Sequence, residues 1–461
     1  MHSPSTQRVA HDGRAQRGGS GLNGYTLLIA IVGAAAGLLF GFDIAVINGA
    51  MIFVRQQFAL SNIQTEIAAS SLLAGCVIGA SLAGFLSDSF GRRKVLLGAA
   101  ALFALSSVGT ALPHRLGEFV LARMLAGLAT GTASLLAPLY IAEVSPARVR
   151  GRLVALDQLS IVAGVLGAYI INYVFSTNTQ NGWRWMFAIA SAPALALCVG
   201  LLFVPESPRW LIKARRYAEA RETLSRIMGP AEAEGEFTQI ESTVLQESGS
   251  FSDLFSKPLR RPMSIGIALA VLQQITGANT VLYYGSIILG DQVGLKKASS
   301  AIGLNVGVGV IMLLSTIFAM FLIDRLGRKP LLLASSGGMA LSLIVMGLAF
   351  RPTPPSVVTF TVAMFSYVFC YSFGLAPVVW VLLSELFPTS TRGRAMAIAT
   401  VSLWLACLLL TATFLSLVEL FGPSNTFWLY GAISVCTFGF VFYCVPETKG
   451  KSLELIEQMW T

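Results

Sequence analysis

The stretch DSFGRR at residues 88–93 decides the fold, because it occurs a second time, as DRLGRK, at residues 324–329. Two further pairs have nearly the same spacing. Glu143 followed by RGR at 150–152 repeats as Glu385 followed by RGR at 392–394. PES at 205–207 repeats as PET at 446–448. The three displacements are 236, 242 and 241 residues, so the chain is built from two similar halves.

Apolar runs surround these repeats, and each is about as long as the roughly 20 residues that a helix needs to cross a bilayer. We expect twelve membrane helices near residues 25–52, 66–87, 95–113, 119–141, 154–175, 185–204, 264–289, 299–323, 330–350, 357–383, 395–420 and 426–445. Six helices, an even number, separate the members of each repeated pair, so both halves have the same orientation. The prediction is an all-α membrane protein made of two parallel-related six-helix bundles, an arrangement typical of transporters.

Composition agrees with this prediction. The chain is 55% hydrophobic and only 12% charged, against roughly 25% charged residues in soluble domains. The six cysteines all fall within apolar runs, where isolated cysteines usually pack as small apolar residues. The three histidines are scattered, so we expect neither a metal site nor a cofactor.

The net charge of +9 is a topology signal rather than a nucleic-acid site. Most of the 32 lysines and arginines fall in segments predicted to be cytoplasmic, which orients the chain with both termini inside. We predict a cytoplasmic tail (1–24), a first bundle (25–204), a linker with short helices (205–263), a second bundle (264–445) and a cytoplasmic tail (446–461). The expected location is the inner cell membrane, and the expected state is a monomer.

Eight motifs carry a family resemblance, and they stand in order along the chain. They are GFDIAVINGA (41–50), GFLSDSFGRRK (84–94), YIAEVSPARVRGRL (140–153), PESPRWL (205–211), QQITGANTVLYY (273–284), DRLGRKP (324–330), PVVWVLLSELFPTSTRGRA (377–395) and PETKGKSLE (446–454). With these motifs the chain resembles the sugar porter family of the major facilitator superfamily. The resemblance implies the major facilitator fold and import of a sugar or polyol by alternating access, with a proton as the coupled ion.

Asp43 is a carboxylate inside the first membrane helix, where insertion costs about 2.5–3.5 kcal/mol and an acid is functional by default. Arg123 in the fourth helix lies at a similar depth, so the two side chains can pair. The resemblance implies that Asp43 carries the coupled proton, with Arg123 adjusting its affinity. A static ion pair between two helices is the alternative.

A polar set near the membrane midplane is the predicted substrate site. It consists of Gln158 in helix five, Gln273, Gln274, Asn279 and Tyr283 in helix seven, and Trp380 in helix ten. Amides suit hydroxyl-rich ligands because they both donate and accept, and an indole face can stack on a sugar ring. Gly277 permits a break in helix seven. Interhelical hydrogen bonding is the alternative reading of these amides.

Charged residues at the inner helix ends form a predicted inner gate. It comprises Asp88, Arg92, Glu143 and Arg150 in the first half and Asp324, Arg328, Glu385 and Arg392 in the second. Asp88 is expected where a helix start favours its charge, and Arg92 and Arg93 are expected to pair with carboxylates such as Glu143. The resemblance implies a latch that holds the halves together in one state. The alternative is that these basic loops only keep the inner helix ends on the cytoplasmic side.

The chain departs from the family pattern in several places. Leu403 and Met312 stand where polar residues are frequent, and Ala376 replaces a frequent glycine. Asp157 beside Gln158 is also unusual and has no assigned role. A membrane enzyme is not favoured, because no nucleophile, metal set or pair of acids is visible. A facilitative uniporter, and a sugar sensor that does not transport, stay open.

Overall fold

The computed structural model describes residues 24–145, 147–177, 181–246, 257–295, 297–387 and 391–451. Within these ranges, twelve helical spans are long and apolar enough to cross a membrane. The all-α fold and the twelve predicted spans are therefore confirmed. The predicted tails lie outside the described residues except for Gly24 and residues 446–451.

The first half contains six spans, and the last of them is divided into two helices. The helices are α1 (Gly24–Gln57), α2 (Asn62–Phe90), α3 (Arg92–Ala111), α4 (Leu116–Val144), α5 (Ala147–Ser176), α6 (Gly182–Ala188) and α7 (Ser191–Phe203). Short helices then follow in the segment that was predicted as a linker. They are α8 (Pro208–Lys213), α9 (Tyr217–Met228) and α10 (Pro230–Gln246), which pack around a small apolar core of their own.

The second half repeats the pattern, with two spans interrupted. Its helices are α11 (Lys257–Ile275), α12 (Ala278–Ile287), α13 (Ala298–Leu326), α14 (Arg328–Leu348), α15 (Val357–Cys370), α16 (Ala376–Leu386), α17 (Arg392–Thr411) and α18 (Phe414–Cys444). One π-helical turn (Ile288–Gln292) continues α12, and a second (Tyr371–Leu375) connects α15 to α16. Helix α11 begins at Lys257, inside the predicted linker, because its polar first turns continue the helix beyond the apolar run.

The predicted break in helix seven lies at Gly277, between α11 and α12. Gly277 has φ +96°, a left-handed conformation that residues with a Cβ rarely adopt. A Cβ there would also lie 3.1 Å from the ring of Tyr430. The break lies in the interior of the bundle, where Gln273 and Gln274 at the end of α11 and all of α12 are buried.

Glycines allow α2 and α4 to approach each other closely. A Cβ on Gly127 would lie 1.8 Å from the carbonyl oxygen of Leu72, and one on Gly75 would lie 2.1 Å from that of Met124. Gly79 and Gly131 are equally close to the backbone of the opposite helix. Small residues at such spacing are the usual means of close helix packing in membranes, and here they join α2 and α4 tightly.

The two halves are connected by polar contacts near the outer side. Arg55 at the end of α1 forms an ion pair with Asp291, with Nη1 and Oδ2 2.6 Å apart. Glu66 of α2 accepts hydrogen bonds from the backbone N–H and the hydroxyl of Ser416, both at 2.7 Å. These contacts join the two halves on the side of the membrane that is predicted to be outer.

Candidate functional site

Asp43 and Arg123 form a buried ion pair between α1 and α4. Asp43 is 4% exposed and Arg123 is 1% exposed. Arg123 Nη1 lies 2.5 Å from Asp43 Oδ1, and the hydroxyl of Thr130 donates to Asp43 Oδ2 at 3.1 Å. Both carboxylate oxygens therefore have a partner, as a buried charge requires. The pairing expected from their depth is present.

The guanidinium of Arg123 also packs over the ring of Phe187, with 5.3 Å between Cζ and the ring centroid. An aromatic face attracts a cation, so this ring stabilises Arg123 on the side away from Asp43. Nε of Arg123 has no hydrogen-bond partner among the described residues. A cation that is held partly by a ring can change partners at lower cost than one with every donor bonded.

The amides of α11 and α12 form a connected network. Gln274 Nε2 donates to Gln273 Oε1 at 3.3 Å. Asn279 Nδ2 donates to Gln274 Oε1 and, at 2.9 Å, to the sulfur of Cys407. Gln274 and Asn279, both members of the predicted substrate site, thus lie together across the break at Gly277. Cys407 is a member of this network that sequence reasoning treated only as a packing residue.

Gln273 has a different environment from its neighbour. Its amide donates to the carbonyl oxygens of Leu375 and Ala376, both at 3.0 Å, where α16 begins after the π-helical turn. The side chain is 2% exposed. In this conformation Gln273 connects α11 to α16, which is the interhelical role left open for the amides.

Several polar ends near this network have no partner among the described residues. They are the hydroxyl of Tyr283 and the indole nitrogen of Trp404, both buried. Trp404 packs edge-on against Phe40 of α1, with ring centroids 5.7 Å apart. Unpaired donors at membrane depth are costly, so these two groups lack the partner that burial requires.

The remaining two predicted contacts lie on opposite halves. Gln158 on α5 and Trp380 on α16 are both half-buried. The amide of Gln158 makes no hydrogen bond among the described residues. Trp380 packs at the margin of the apolar core. The structure therefore does not bring either of them into the amide network.

At the inner end of the first half, Glu143 is bound within its own half. Arg92 Nε lies 3.0 Å from Glu143 Oε2, and the hydroxyl of Ser207 donates to the same oxygen at 2.5 Å. Arg92 also pairs with Asp88 at 3.0 Å, and Asp88 in turn accepts from Lys213 at 2.7 Å. Linker and bundle thus share one charge network.

Two expectations about this network are wrong. Asp88 lies near the end of α2, not at a helix start. Its charge is compensated by Arg92 and Lys213 instead of by helix N–H groups. Arg93 does not pair with Glu143, because its guanidinium donates to the carbonyl oxygens of Leu201 and Leu202.

The second half repeats this arrangement. Arg328 Nη2 lies 2.8 Å from Glu385 Oε1, and Thr448 donates to Glu385 Oε2 at 2.6 Å. Arg392 Nε donates to the carbonyl oxygen of Phe387 at 3.2 Å. The side chains of Arg150 and Asp324, two further predicted gate residues, lie outside the described residues.

A second carboxylate in each half binds the start of a helix. Glu206 accepts the backbone N–H of Arg93 at 3.0 Å, and Glu447 accepts those of Arg328 and Lys329 at 3.1 and 3.0 Å. Helix N-termini favour negative charge. Partial burial by itself raises the pKa of Glu447, but the N–H groups of Lys449, Arg328, Lys329 and Thr448 together hold this pKa below its ordinary value.

An outer asparagine cluster was missed by sequence reasoning. Asn48 of α1 donates to the carbonyl oxygens of Val281 and Leu282 at 3.1 and 2.9 Å. Its own side-chain oxygen accepts from the N–H of Ser286 at 2.9 Å, and Asn305 joins the cluster through Ser286 at 3.0 Å. The only available signal was an asparagine within an apolar run.

Comparisons with known proteins give a consistent result. A family model described as "Sugar (and other) transporter" matches residues 29–460. The arabinose-proton symporter of Bacillus subtilis is 37% identical over 444 residues, which cover 95% of each chain. The galactose-proton symporter of Escherichia coli is 36% identical over 451 residues, which cover 96% of each chain.

The solved structures agree with the sequence comparisons. An inward-open structure of the xylose transporter from E. coli matches with a TM-score of 0.82 at 35% identity. The match covers 95% of this chain and all of that chain.

Proposed function

The chain belongs to the sugar transporter family, and from that premise we propose that it imports a sugar or related polyol together with a proton, by alternating access. It is a multi-pass membrane protein and a transporter, not an enzyme. The names of its relatives, which are arabinose- and galactose-proton symporters, support the substrate class. The orientation of both termini toward the cytoplasm, the inner cell membrane and a monomeric state belong to the same proposal.

The observation that carries proton coupling is the buried pair of Asp43 and Arg123. An ionised Asp43 holds Arg123 at 2.5 Å and joins α1 to α4. Protonation of Asp43 removes the charge that Arg123 needs, so the guanidinium is released toward other acceptors. The position of Arg123 then depends on whether a proton is bound, and this links protonation to the arrangement of the first bundle.

The substrate site in this proposal lies beside that pair. Tyr283 of α12 contributes a buried hydroxyl that has no partner among the described residues. Gln274 and Asn279 supply amides, and in this proposal the amide of Gln158 joins them from the first half when sugar is bound. Gln273 and Trp380 complete the predicted set, with Gln273 held by α16 in this conformation. A sugar hydroxyl entering the site gives the unpaired polar ends their partners.

The inner gate belongs to the proposal as well. Glu143 and Glu385 are bound within their own halves in this conformation. A latch then requires that Arg392 and Arg150 exchange partners with these carboxylates when the inner mouth closes. Asp88, Arg92, Asp324 and Arg328 position the carboxylates for that exchange.

The test is Asp43→Asn, which keeps size and hydrogen bonding but cannot titrate. In vesicles with an imposed proton gradient, we expect this variant to lose accumulation of arabinose, galactose or xylose against their gradients. Exchange of labelled for unlabelled sugar, which needs no net proton movement, should continue. The matched control is Glu118→Gln, an exposed carboxyl at the start of α4, which should accumulate sugar as wild type does.

The outcomes separate the two transport mechanisms. If Asp43→Asn still concentrates sugar and a protonophore still abolishes this, Asp43 is not the coupling residue. If the wild type exchanges sugar but never concentrates it, the protein is a facilitative uniporter and the ion pair is structural.

A further inference from the structure

Asp157 is a buried carboxylate that the proposed mechanism leaves unused. It lies on α5, in the first turn of the apolar span Leu156–Ser176. The residue is only 7% exposed. It packs against Gly37 of α1 so closely that a Cβ on this glycine would lie 2.7 Å from Oδ1. Oδ1 has no hydrogen-bond partner among the described residues.

The charged side chains that the structure describes on helices packed against α5 have partners of their own or are exposed. They are Asp43 and Arg55 on α1, Glu118, Arg123 and Glu143 on α4, Arg184 on α6 and Arg325 on α13. Arg148, Arg150 and Arg152 lie on α5 itself, and α13 carries no ionisable residue from 298 to 323. No ion pair or hydrogen bond to Asp157 exists among the described residues.

The partners of these groups account for their charges. Asp43 stands six residues outward of Gly37, about 9 Å along α1, and is bound to Arg123. Glu143 is bound to Arg92 at the inner end. Arg184 donates to the carbonyl oxygen of Ala111 at 2.6 Å, on the outer side. The side chains of the α5 arginines lie outside the described residues.

An ionised carboxylate at this depth without a cation or donor is strongly disfavoured, whereas a neutral carboxyl group is tolerated. Asp43 satisfies its charge with Arg123 and Thr130, whereas Asp157 has no such partners in the part of the chain that the structure describes. We propose that Asp157 carries a proton in this conformation and is a second proton-binding group of the transporter, separate from Asp43. The step is addition of one aqueous proton to the carboxylate, with no other bond formed or broken.

Ionisation of Asp157 has a definite consequence for the packing of α1 on α5. A Cβ on Gly41 would lie 1.8 Å from the carbonyl oxygen of Ile161, and one on Gly164 would lie 2.1 Å from that of Leu38, so the two helices are in close contact around Asp157. A negative charge there lacks a partner among the described residues and weakens this packing. We therefore expect sugar exchange to slow as the pH rises.

Infrared spectroscopy of the purified full-length protein tests the proton directly and needs no substrate. The background is Asp43→Asn, which removes the first carboxyl group. We expect a C=O stretching band of a protonated carboxyl group at neutral pH that disappears when Asp157→Asn is added. Raising the pH should convert this band into carboxylate bands. An unchanged band in the double variant, or its absence from the Asp43→Asn spectrum, overturns the inference.

If the double variant does not accumulate in the membrane, Asp157→Glu is combined with Asp43→Asn instead. The C=O band should then shift in frequency, because the carboxyl group has moved. A band that does not shift counts against Asp157. Exchange assays with arabinose, galactose and xylose measure the transport consequence. Asp157→Asn should still exchange sugar, and its exchange rate should no longer fall at alkaline pH. The exchange rate of Glu118→Gln should fall at alkaline pH as that of the wild type does. The same alkaline fall in both variants contradicts the inference.

Only the expected pH dependence of sugar exchange rests on the proposed function. If the wild type exchanges none of the three sugars, the substrate class of the proposed function is wrong. The infrared band still decides whether Asp157 holds a proton.

Discussion

At the scale of single residues, Asn279 connects two elements of the predicted substrate site. Its amide donates to Gln274 across the helix break and to Cys407 on α17. We expect Asn279→Ala to weaken sugar binding by about 1–3 kcal/mol, or roughly 5- to 150-fold, because a ligand hydroxyl loses its partner. Isothermal titration with the transported sugar measures this.

The control for Asn279 is Asn425→Ala. Asn425 is exposed near the outer side and donates only to the nearby carbonyl oxygen of Phe421 among the described residues. Its removal should leave affinity unchanged. Equal affinities for wild type and Asn279→Ala, with membrane insertion intact, would remove Asn279 from the substrate site.

Residues that ionise inside apolar runs were the easiest to predict. Asp43 and Arg123 are conspicuous in sequence because charge is rare in membrane helices, and their depths followed from counting residues. Thr130 was not predicted, since a threonine in a helix gives no signal of its partner. Gln273 and Gln274 are adjacent in sequence, and only the packing of α16 determines that the first one binds backbone carbonyls.

At the scale of elements, Gly91 and Gly327 show why the repeated motif needs a glycine. Each begins a membrane helix with a positive φ, +98° and +94°. A Cβ there would lie within 2.4 Å of a Glu206 oxygen or 2.7 Å of a Glu447 oxygen. The glycine therefore makes room for a carboxylate at the helix N-terminus. In each half, the repeated motif that contains the glycine thus contacts the repeated PES or PET motif that supplies the carboxylate.

Glu447→Gln should lower the thermal unfolding midpoint at neutral pH. The pKa of Glu447 is held below its ordinary value of 4.5, so its ionised form stabilises the folded protein. That contribution is fully present above about pH 4.5 and is lost as the pH falls through the lowered pKa. The difference between variant and wild type should therefore shrink in acid, as measured by scanning fluorimetry in detergent.

Glu234→Gln serves as the control for this measurement, because Glu234 is exposed and pairs only with the exposed Arg221 among the described residues. Exposed pairs contribute little to stability, so its midpoint should stay near wild type at every pH. A Glu447→Gln deficit that persists undiminished below pH 4 would mean that packing, not charge, explains the effect.

The sequence predicts a helix boundary only where the apolar run and the helix end at the same place. The repeats at 88–93 and 324–329 gave the turns between α2 and α3 and between α13 and α14. The start of α11 at Lys257 was not predictable, and neither was the kink at Gly422 in α18, where φ and ψ are non-helical. In α11 polar residues continue the helix past the apolar run, where hydropathy carries no information.

At the scale of the whole molecule, the two halves meet near the outer side through contacts of unequal strength. Arg55 and Asp291 are 30% and 54% exposed as side chains, and exposed pairs contribute about 0.2–1 kcal/mol. Glu66 is 3% exposed and accepts two hydrogen bonds from Ser416. Hydrogen bonds to charged groups contribute about 1.5–3 kcal/mol each, so Glu66 is the stronger contact.

We therefore expect Glu66→Gln to shift the population toward outward-open states more than Asp291→Asn does. The expected shift is on the order of tenfold for Glu66→Gln and at most about fivefold for Asp291→Asn. Distances between spin labels across the outer mouth measure both. Arg351→Gln is the control, because Arg351 contacts Trp428 within the second half. Identical distance distributions in all four proteins would contradict this assignment.

The linker helices are attached to one half of the molecule. The indole of Trp210 donates to the backbone of Asp88 at 2.9 Å, and Lys213 pairs with the carboxylate of the same residue at 2.7 Å. A compact helical unit with its own core therefore sits firmly on a moving bundle, outside the bilayer. It offers an epitope for a conformation-neutral antibody fragment, whose bulk would align particles in electron microscopy while leaving the substrate path open.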